Sequence, residues 1–248
     1  MQPIYFDNNA TTRVADEVVE AMRPFFSDLY GNPSSMHLFG GQIARHVQEA
    51  REKVAAFIGA EPSEIVFTSC GTESDNMAIR GSAELLGPQA KIITSRVEHP
   101  AVLGPCRRLR EMGFRETELP VDGSGQVDLD ALRDALKDGT PAIVSLMWAN
   151  NETGVIFPVE KAAALAHERG ILFHTDAVQS TGKIPIDMRK NAIDMLAISG
   201  HKLHAPKGIG FLYVRKGTRF SPFLIGGHQE KGRRGGTENT SSIIGLGK

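Results

Sequence analysis

The residues of this 248-residue chain best suited to chemistry stand just beyond short apolar runs. Lys202 lies in Gly200-His-Lys-Leu-His-Ala-Pro-Lys-Gly208, directly after the run 195–199. An amine at a strand end, close to an apolar sheet, has its ammonium form disfavoured by burial, which makes it a nucleophile toward a carbonyl carbon. The same lysine also reads as one of several solvated cations in a surface loop. His201 and His204 flank it, yet no carboxylate or cysteine at ligand spacing accompanies them, and no metal site is assigned. Asp176 closes the run 171–176 and sets a carboxylate where a partly desolvated charge needs a cationic partner.

Three further loops follow the same rule. Cys70-Gly-Thr-Glu-Ser-Asp75 comes after the run 65–69 and opens a helix. The free backbone N–H groups and positive dipole end of that helix would hold an anion such as phosphate, with Gly71 and Thr72 as the cradle. A plain helix cap explains the motif too, with Ser69 or Thr72 capping and Glu73 or Asp75 favouring the first turn. His99, in Val97-Glu-His-Pro-Ala101, is either a pocket residue or a capping residue before a helix-starting proline. Asn151, in Ala149-Asn-Asn-Glu-Thr-Gly154, belongs to a polar cluster that turn formation explains equally well.

Positioning these loops requires strands that end on one side, and the hydrophobic pattern supplies them. Short β-branched runs at 65–69, 91–95, 142–148, 171–176, 195–199 and 210–214 alternate with helical patterns at 41–58, 72–86, 101–112, 129–137 and 159–169. Such alternation predicts an α/β fold, a mainly parallel sheet flanked by helices, whose ligands bind at the carboxyl ends of the strands. A further helix is expected at 16–26, between the turn-rich clusters Asp7-Asn-Asn-Ala-Thr-Thr12 and Gly31-Asn-Pro-Ser-Ser35. The organisation expected is an N-terminal segment over 1–12 and one large domain over 13–248. The last residues, 241–248, begin a helical pattern and stop without a capping signal, so the sequence is expected to be cut short.

Composition narrows the function classes. Hydrophobic residues make up 41% and charged residues 23%, as in ordinary globular proteins. With 28 basic and 29 acidic residues the net charge is -1, and no global attraction to nucleic acid or to an anionic membrane is available. No segment reaches the roughly 18 apolar residues of a membrane helix, and the amino end lacks the layout of a secretion signal. Cys70 and Cys106 are the only thiols, too few for a disulfide framework, and a cytoplasmic setting is expected. Neither GxGxxG after a strand nor GxxxxGK[ST] occurs, which removes the main support for dinucleotide or nucleoside-triphosphate binding.

One cofactor would use these loops together. Pyridoxal 5'-phosphate needs a phosphate cradle at a helix amino end, a lysine for a Schiff base and an acid on its ring nitrogen. Gly71 and Thr72, Lys202, and Asp176 are the matching residues, with Ser199 and His201 close enough in sequence to add phosphate donors.

The motifs that carry this reading also carry a family resemblance. Tyr5-Phe-Asp-Asn-Asn-Ala-Thr-Thr12, Gly31-Asn-Pro-Ser-Ser35, Phe67-Thr-Ser-Cys-Gly-Thr-Glu-Ser74, Val97-Glu-His-Pro100, Trp148-Ala-Asn-Asn-Glu-Thr-Gly154, His174-Thr-Asp-Ala-Val-Gln179, His201-Lys-Leu-His-Ala-Pro-Lys-Gly208 and Gly226-Gly-His-Gln-Glu230 with Gly235-Gly-Thr-Glu-Asn239 follow one another in order. Across essentially its whole length the chain resembles the pyridoxal-phosphate-dependent cysteine desulfurases of the NifS type, in the class V aminotransferase family. The resemblance implies the aminotransferase-like fold type I large domain, without its C-terminal small domain, and a homodimer. It implies Lys202 as the Schiff-base lysine, Asp176 on the ring nitrogen, and His99 stacked on the ring and placed for proton transfer. Gln179 and Asn151 would lie near the ring hydroxyl and the substrate carboxylate. Gly71, Thr72, Ser199 and His201 would hold the phosphate, joined by Thr237 from the second subunit.

The implied reaction converts L-cysteine to L-alanine, with Lys202 as the base. A protein thiolate takes the sulfur as a persulfide and hands it to a NifU-like scaffold protein for Fe–S cluster assembly, in nitrogenase maturation. In family members the persulfide-forming cysteine and the arginine for the substrate carboxylate lie in the C-terminal part. Cys70 and Cys106 are poor substitutes, and the chain alone is expected to be inactive in sulfur transfer. The rival readings are another fold type I enzyme, such as an aminotransferase, and a non-catalytic cofactor-binding fragment.

Overall fold

A computed structural model describes residues 4–248. Seven strands form one sheet: β1 (Ile65–Thr68), β2 (Lys91–Ser95), β3 (Arg115–Leu119), β4 (Ala142–Ser145), β5 (Leu172–Asp176), β6 (Met195–Ser199) and β7 (Gly210–Val214). Their spatial order is β1-β7-β6-β5-β4-β2-β3. β3, β2, β4, β5 and β6 run parallel, whereas β7 lies antiparallel between β6 and β1. The sheet is thus mixed but mostly parallel, and its four fully buried central strands explain the continuous apolar runs.

The helices α1 (Asp16–Met22), α2 (Pro24–Ser27), α3 (Leu38–Phe57), α4 (Gly71–Leu86), α5 (Pro100–Glu111), α6 (Leu129–Ala135), α7 (Val159–His167) and α8 (Thr240–Gly247) connect and cover the strands. Because side chains alternate between the two faces of a strand, each strand divides its residues between two cores. Val66, Ile92, Ile143, Met195, Ala197 and Leu212 pack with Met77 and Ile79 of α4 and Val102, Cys106 and Leu109 of α5. Ile65, Phe67, Ile93, Val144, Phe173, Ile198 and Phe211 pack on the opposite face with α3, α6 and α7.

Four expectations are corrected. No strand is expected at 115–119, yet Arg-Glu-Thr-Glu-Leu forms β3 at the sheet edge, where Leu119 is buried, Glu116 is tucked against Arg110 at 2.9 Å, and Arg115 and Glu118 face solvent. The strand expected over 142–148 ends at Ser145, although Leu146 N and Trp148 N still donate to His174 O and Asp176 O at 3.1 and 2.9 Å. The single helix expected over 16–26 breaks at Arg23, because Pro24 has no N–H to continue it. The helix expected from 41 starts at Leu38, where His37 Nδ1 accepts from Gly40 N at 3.2 Å and caps the first turn. Among the described residues no helix is long and apolar enough to cross a membrane.

Candidate active site

The carboxyl ends of β5 and β6 and the amino end of α4 meet around one cavity of about 670 Å³. Gly71, Thr72, His99, Asn151, Asp176, Gln179, Ser199, His201 and Lys202 all line it. Thr237 does not: within the chain it lines a separate pocket with Phe67, Thr68 and Asn239.

Each side chain is placed by local structure. Asp176 ends β5 and is 7% exposed, its Oδ1 accepting from Val178 N at 2.9 Å. Burial raises its pKa, opposed by that backbone N–H and by the charges of His99 and Lys202. Lys202 sits in the short 3-10 turn after β6, and its Nζ donates to Asn9 O and, at 2.8 Å, to Ala10 O. Burial and the neighbouring Lys183 charge lower the Lys202 pKa against the pull of Asp7 and Asp176. The His201 ring meets Thr11 Oγ1 at 3.1 Å, and its carbonyl accepts from Thr12 N and Oγ1, both at 2.9 Å. The N-terminal segment therefore completes the cavity wall and anchors the lysine turn.

His99 caps α5, its Nδ1 accepting from Ala101 N at 3.1 Å. In the neutral ring that bond places the proton on Nε2. Gln179 Nε2 donates to Asn9 O at 2.9 Å, and Gln179 Oε1 accepts from Lys183 at 2.8 Å. The two adjacent asparagines divide their work. Asn150 is buried and closes the turn, accepting from Glu152 N and Thr153 N at 2.9 Å, while Asn151 lines the cavity.

At α4 the cap expected of Ser69 or Thr72 is made by Cys70 instead. Cys70 Sγ accepts from Glu73 N at 3.4 Å as the cap, and Glu73 reaches back to Ser69 N at 2.8 Å. The N–H groups of Gly71 and Thr72 have no acceptor within a helix. A Cβ on Gly71 would meet Val178 Cγ2 at 2.8 Å and Ser199 Cβ at 3.4 Å, so only glycine leaves this floor open.

Sequence reasoning missed a group of buried acids behind the cavity. Glu98, 4% exposed, meets Ser95 Oγ at 2.6 Å and accepts from Met147 N at 2.8 Å, and burial pushes its pKa up to about 8. Asp75, 1% exposed, lines the cavity floor near His174. The one available signal was the two-residue spacing of His174 and Asp176 on β5, which puts both on the face that α4 covers.

A mostly parallel α/β domain with a strand-end lysine, a buried strand-end carboxylate and a glycine-floored helix terminus defines the large domain of fold type I pyridoxal phosphate enzymes. The profile described as "Aminotransferase class-V" matches residues 4–248. The chain is 60% identical over 248 residues to a "Cysteine desulfurase" of Trichormus azollae and 56% identical to "Cysteine desulfurase NifS" of Azotobacter vinelandii, covering all of this chain and 62% and 61% of those proteins. A solved "NIFS-LIKE PROTEIN" superimposes with a TM-score of 0.95 at 44% identity, covering 99% of this chain and 68% of that one. The structure described as "SspA in complex with cysteine" gives 0.95 at 42% identity, covering 99% and 71%. The chain belongs to the class V aminotransferase family, on its NifS-like cysteine desulfurase branch, and spans about 62% of the length of the curated relatives it matches.

That family uses pyridoxal phosphate, and the cavity fits it. An amine, a buried carboxylate, an imidazole and a helix amino end with hydroxyls beside it are the donor set the cofactor requires. The floor at Gly71 is open where a side chain would close it.

Proposed function

We propose that these residues form the cofactor-binding part of a pyridoxal-phosphate-dependent cysteine desulfurase, which converts L-cysteine to L-alanine and passes the sulfur on as an enzyme persulfide. The observation that carries this reading is the convergence of Lys202, Asp176, His99 and the α4 amino end on one cavity in a NifS-like chain. The structural relative described with cysteine supports the substrate.

Lys202 Nζ would hold the carbonyl carbon of the cofactor, Asp176 its ring nitrogen, and Gly71, Thr72, Ser199 and His201 its phosphate. His99 would cover the ring, and Gln179 and Asn151 would face the ring hydroxyl and the substrate carboxylate. The bound cofactor supplies an electron sink for a carbanion at the amino acid Cα. Lys202 carries the Cα proton, since its lowered pKa leaves more of the neutral amine near neutral pH and the Asn9 and Ala10 carbonyls orient it. His99 Nε2 offers a second proton-bearing site, because Nδ1 is held by Ala101 N.

Neither thiol of the chain suits sulfur transfer. Cys106 is fully buried, and burial followed by the charges of Glu116 and Glu98 pushes its pKa far up. Cys70 Sγ is held by the first turn of α4. We therefore assign the persulfide to a thiol outside these residues and the chain alone to cofactor binding and Cα proton exchange. A homodimer with Thr237 contributed across the interface, a NifU-like acceptor for Fe–S assembly in nitrogenase maturation, and a cytoplasmic setting complete the proposal, supported by the 56% identity to the Azotobacter vinelandii protein.

The test is incubation of the chain with pyridoxal phosphate and L-cysteine in deuterated water. Lys202-dependent loss of the Cα proton without sulfide is expected. Transfer of the amino group to an added keto acid would instead support an aminotransferase, and bound cofactor without exchange would contradict the proposal.

A further inference from the structure

Behind the cavity a polar row crosses the sheet. Thr94, Ser145 and His174 are register partners on β2, β4 and β5, on the face covered by α4 and α5, and each is 0% exposed. His174 Nδ1 meets Ser145 Oγ at 2.9 Å, and its Nε2 lies 3.5 Å from Asp75 Oδ1. Nε2 and both Asp75 oxygens are fully buried and have no hydrogen-bond partner among the described residues. Asp75 also faces the cavity that Asp176 lines.

The groups around Asp75 decide its charge. From β5 come His174 and Asp176, from the loop before α5 comes Glu98, at the cap of its own helix lies Cys70, and on α5 lies Cys106. Among the described residues the one basic side chain within ion-pair distance of it is His174. Ionising Asp75 against a protonated His174 would bury two charges, and desolvation costs several kcal/mol for each. Sharing a single proton as a neutral acid and a neutral imidazole avoids that cost. The spacing suits it: a proton on Asp75 faces Nε2 across 3.5 Å, a gap that a small side-chain shift would close into a hydrogen bond, and Nδ1–H donates to Ser145 Oγ. Burial, then the negative charge of Asp176, raises the Asp75 pKa well above the usual range, and burial lowers His174 to about 3, in the same sense.

We propose that Asp75 is a proton-bearing positioning residue: paired with His174 behind the cavity, it leaves Asp176 as the ionised carboxylate that faces the ligand. Two adjacent buried carboxyls cannot both be ionised at low cost, and Asp176 has the Val178 N–H and the Lys202 ammonium to favour its charge. The role given to Asp176 rests on the cofactor reading above; the proton on Asp75 does not.

The test is infrared spectroscopy of the full chain at neutral pH without added cofactor, beside Asp75→Asn and Glu98→Gln, with nitrogen NMR of the His174 ring. The expected result is two protonated-carboxyl bands, one lost in each variant, and a neutral ring carrying its proton on Nδ1. Retention of both bands in Asp75→Asn, or a doubly protonated His174, overturns the proposal. If Asp75→Asn does not fold, the ring spectrum of the unsubstituted chain decides alone. With pyridoxal phosphate added, Asp75→Asn should keep the dissociation constant within about threefold, while Asp176→Asn weakens it roughly a hundredfold. Equal weakening in both also overturns it. A chain that binds no cofactor contradicts the cofactor reading, and the infrared and NMR results still decide the Asp75 proton.

Discussion

Arg234 grips Glu73 at two points, Nε to Oε1 at 2.8 Å and Nη2 to Oε2 at 3.2 Å, tying the loop before α8 to the first turn of α4. Burial alone would raise the Glu73 pKa, but the hydrogen bonds from Arg234 and Ser69 outweigh it and hold the carboxylate below its ordinary value. The loop at the α4 amino end is thus braced from outside the cavity. Arg234→Ala should cost about 2 kcal/mol and lower Tm by about 5 °C. It should also weaken cofactor binding, both read by thermal unfolding with and without pyridoxal phosphate. Unchanged Tm would show that the pair braces nothing.

A second ion pair holds the same loop to the sheet edge. Glu230 takes Arg51 Nη1 at 2.8 Å and Phe67 N at 3.2 Å, while its own φ of 48° lies in the left-handed region. Removing the carboxylate leaves Arg51 and the β1 amide unpaired, so Glu230→Ala should cost about 3 kcal/mol in urea unfolding. Glu230→Gly should recover about 1 kcal/mol of that loss by relieving the backbone. A glycine variant less stable than the alanine variant would contradict the strain.

Glu98 predicts a pH dependence of stability. Its folded pKa of about 8 stands above the ordinary value of 4.5, so the native state keeps a proton that the unfolded chain releases between those values. The stability it contributes is full below about pH 4.5 and is lost as pH rises through about 8. Glu98→Gln preserves both hydrogen-bond partners without a titrating proton and should flatten this part of the Tm profile. An unchanged slope would exclude Glu98 as its source.

At the cavity floor, Gly71→Ala should leave the fold intact, since alanine favours helices, but its methyl must displace Val178 Cγ2 from 2.8 Å. Cofactor affinity should fall about tenfold or more, with Tm of the free chain nearly unchanged. Undiminished affinity in a fluorescence titration would place the phosphate elsewhere.

The strand-end residues were legible because an open parallel sheet delivers its chemistry to loops that follow apolar runs, and Lys202, Asp176 and Gly71 each follow one. β3 was not, because Arg115, Glu116 and Glu118 on a half-exposed edge lack an apolar signature. Asp75 reads as an ordinary helix-start acid and Glu98 carries no signal of its own, and only the packing of α4 over β4 and β5 and of α5 over β2 turns them into buried, proton-bearing groups. The anchoring of Lys202 by Asn9 and Ala10 depends on backbone carbonyls distant in sequence, which no side-chain pattern encodes.

The central claim is that Lys202 is the amine that holds the cofactor. Borohydride reduction of the chain mixed with pyridoxal phosphate, followed by peptide mass mapping, should place one cofactor adduct on Lys202 and none in Lys202→Ala. An adduct spread over surface lysines, or one equally abundant in Lys202→Ala, would contradict the account.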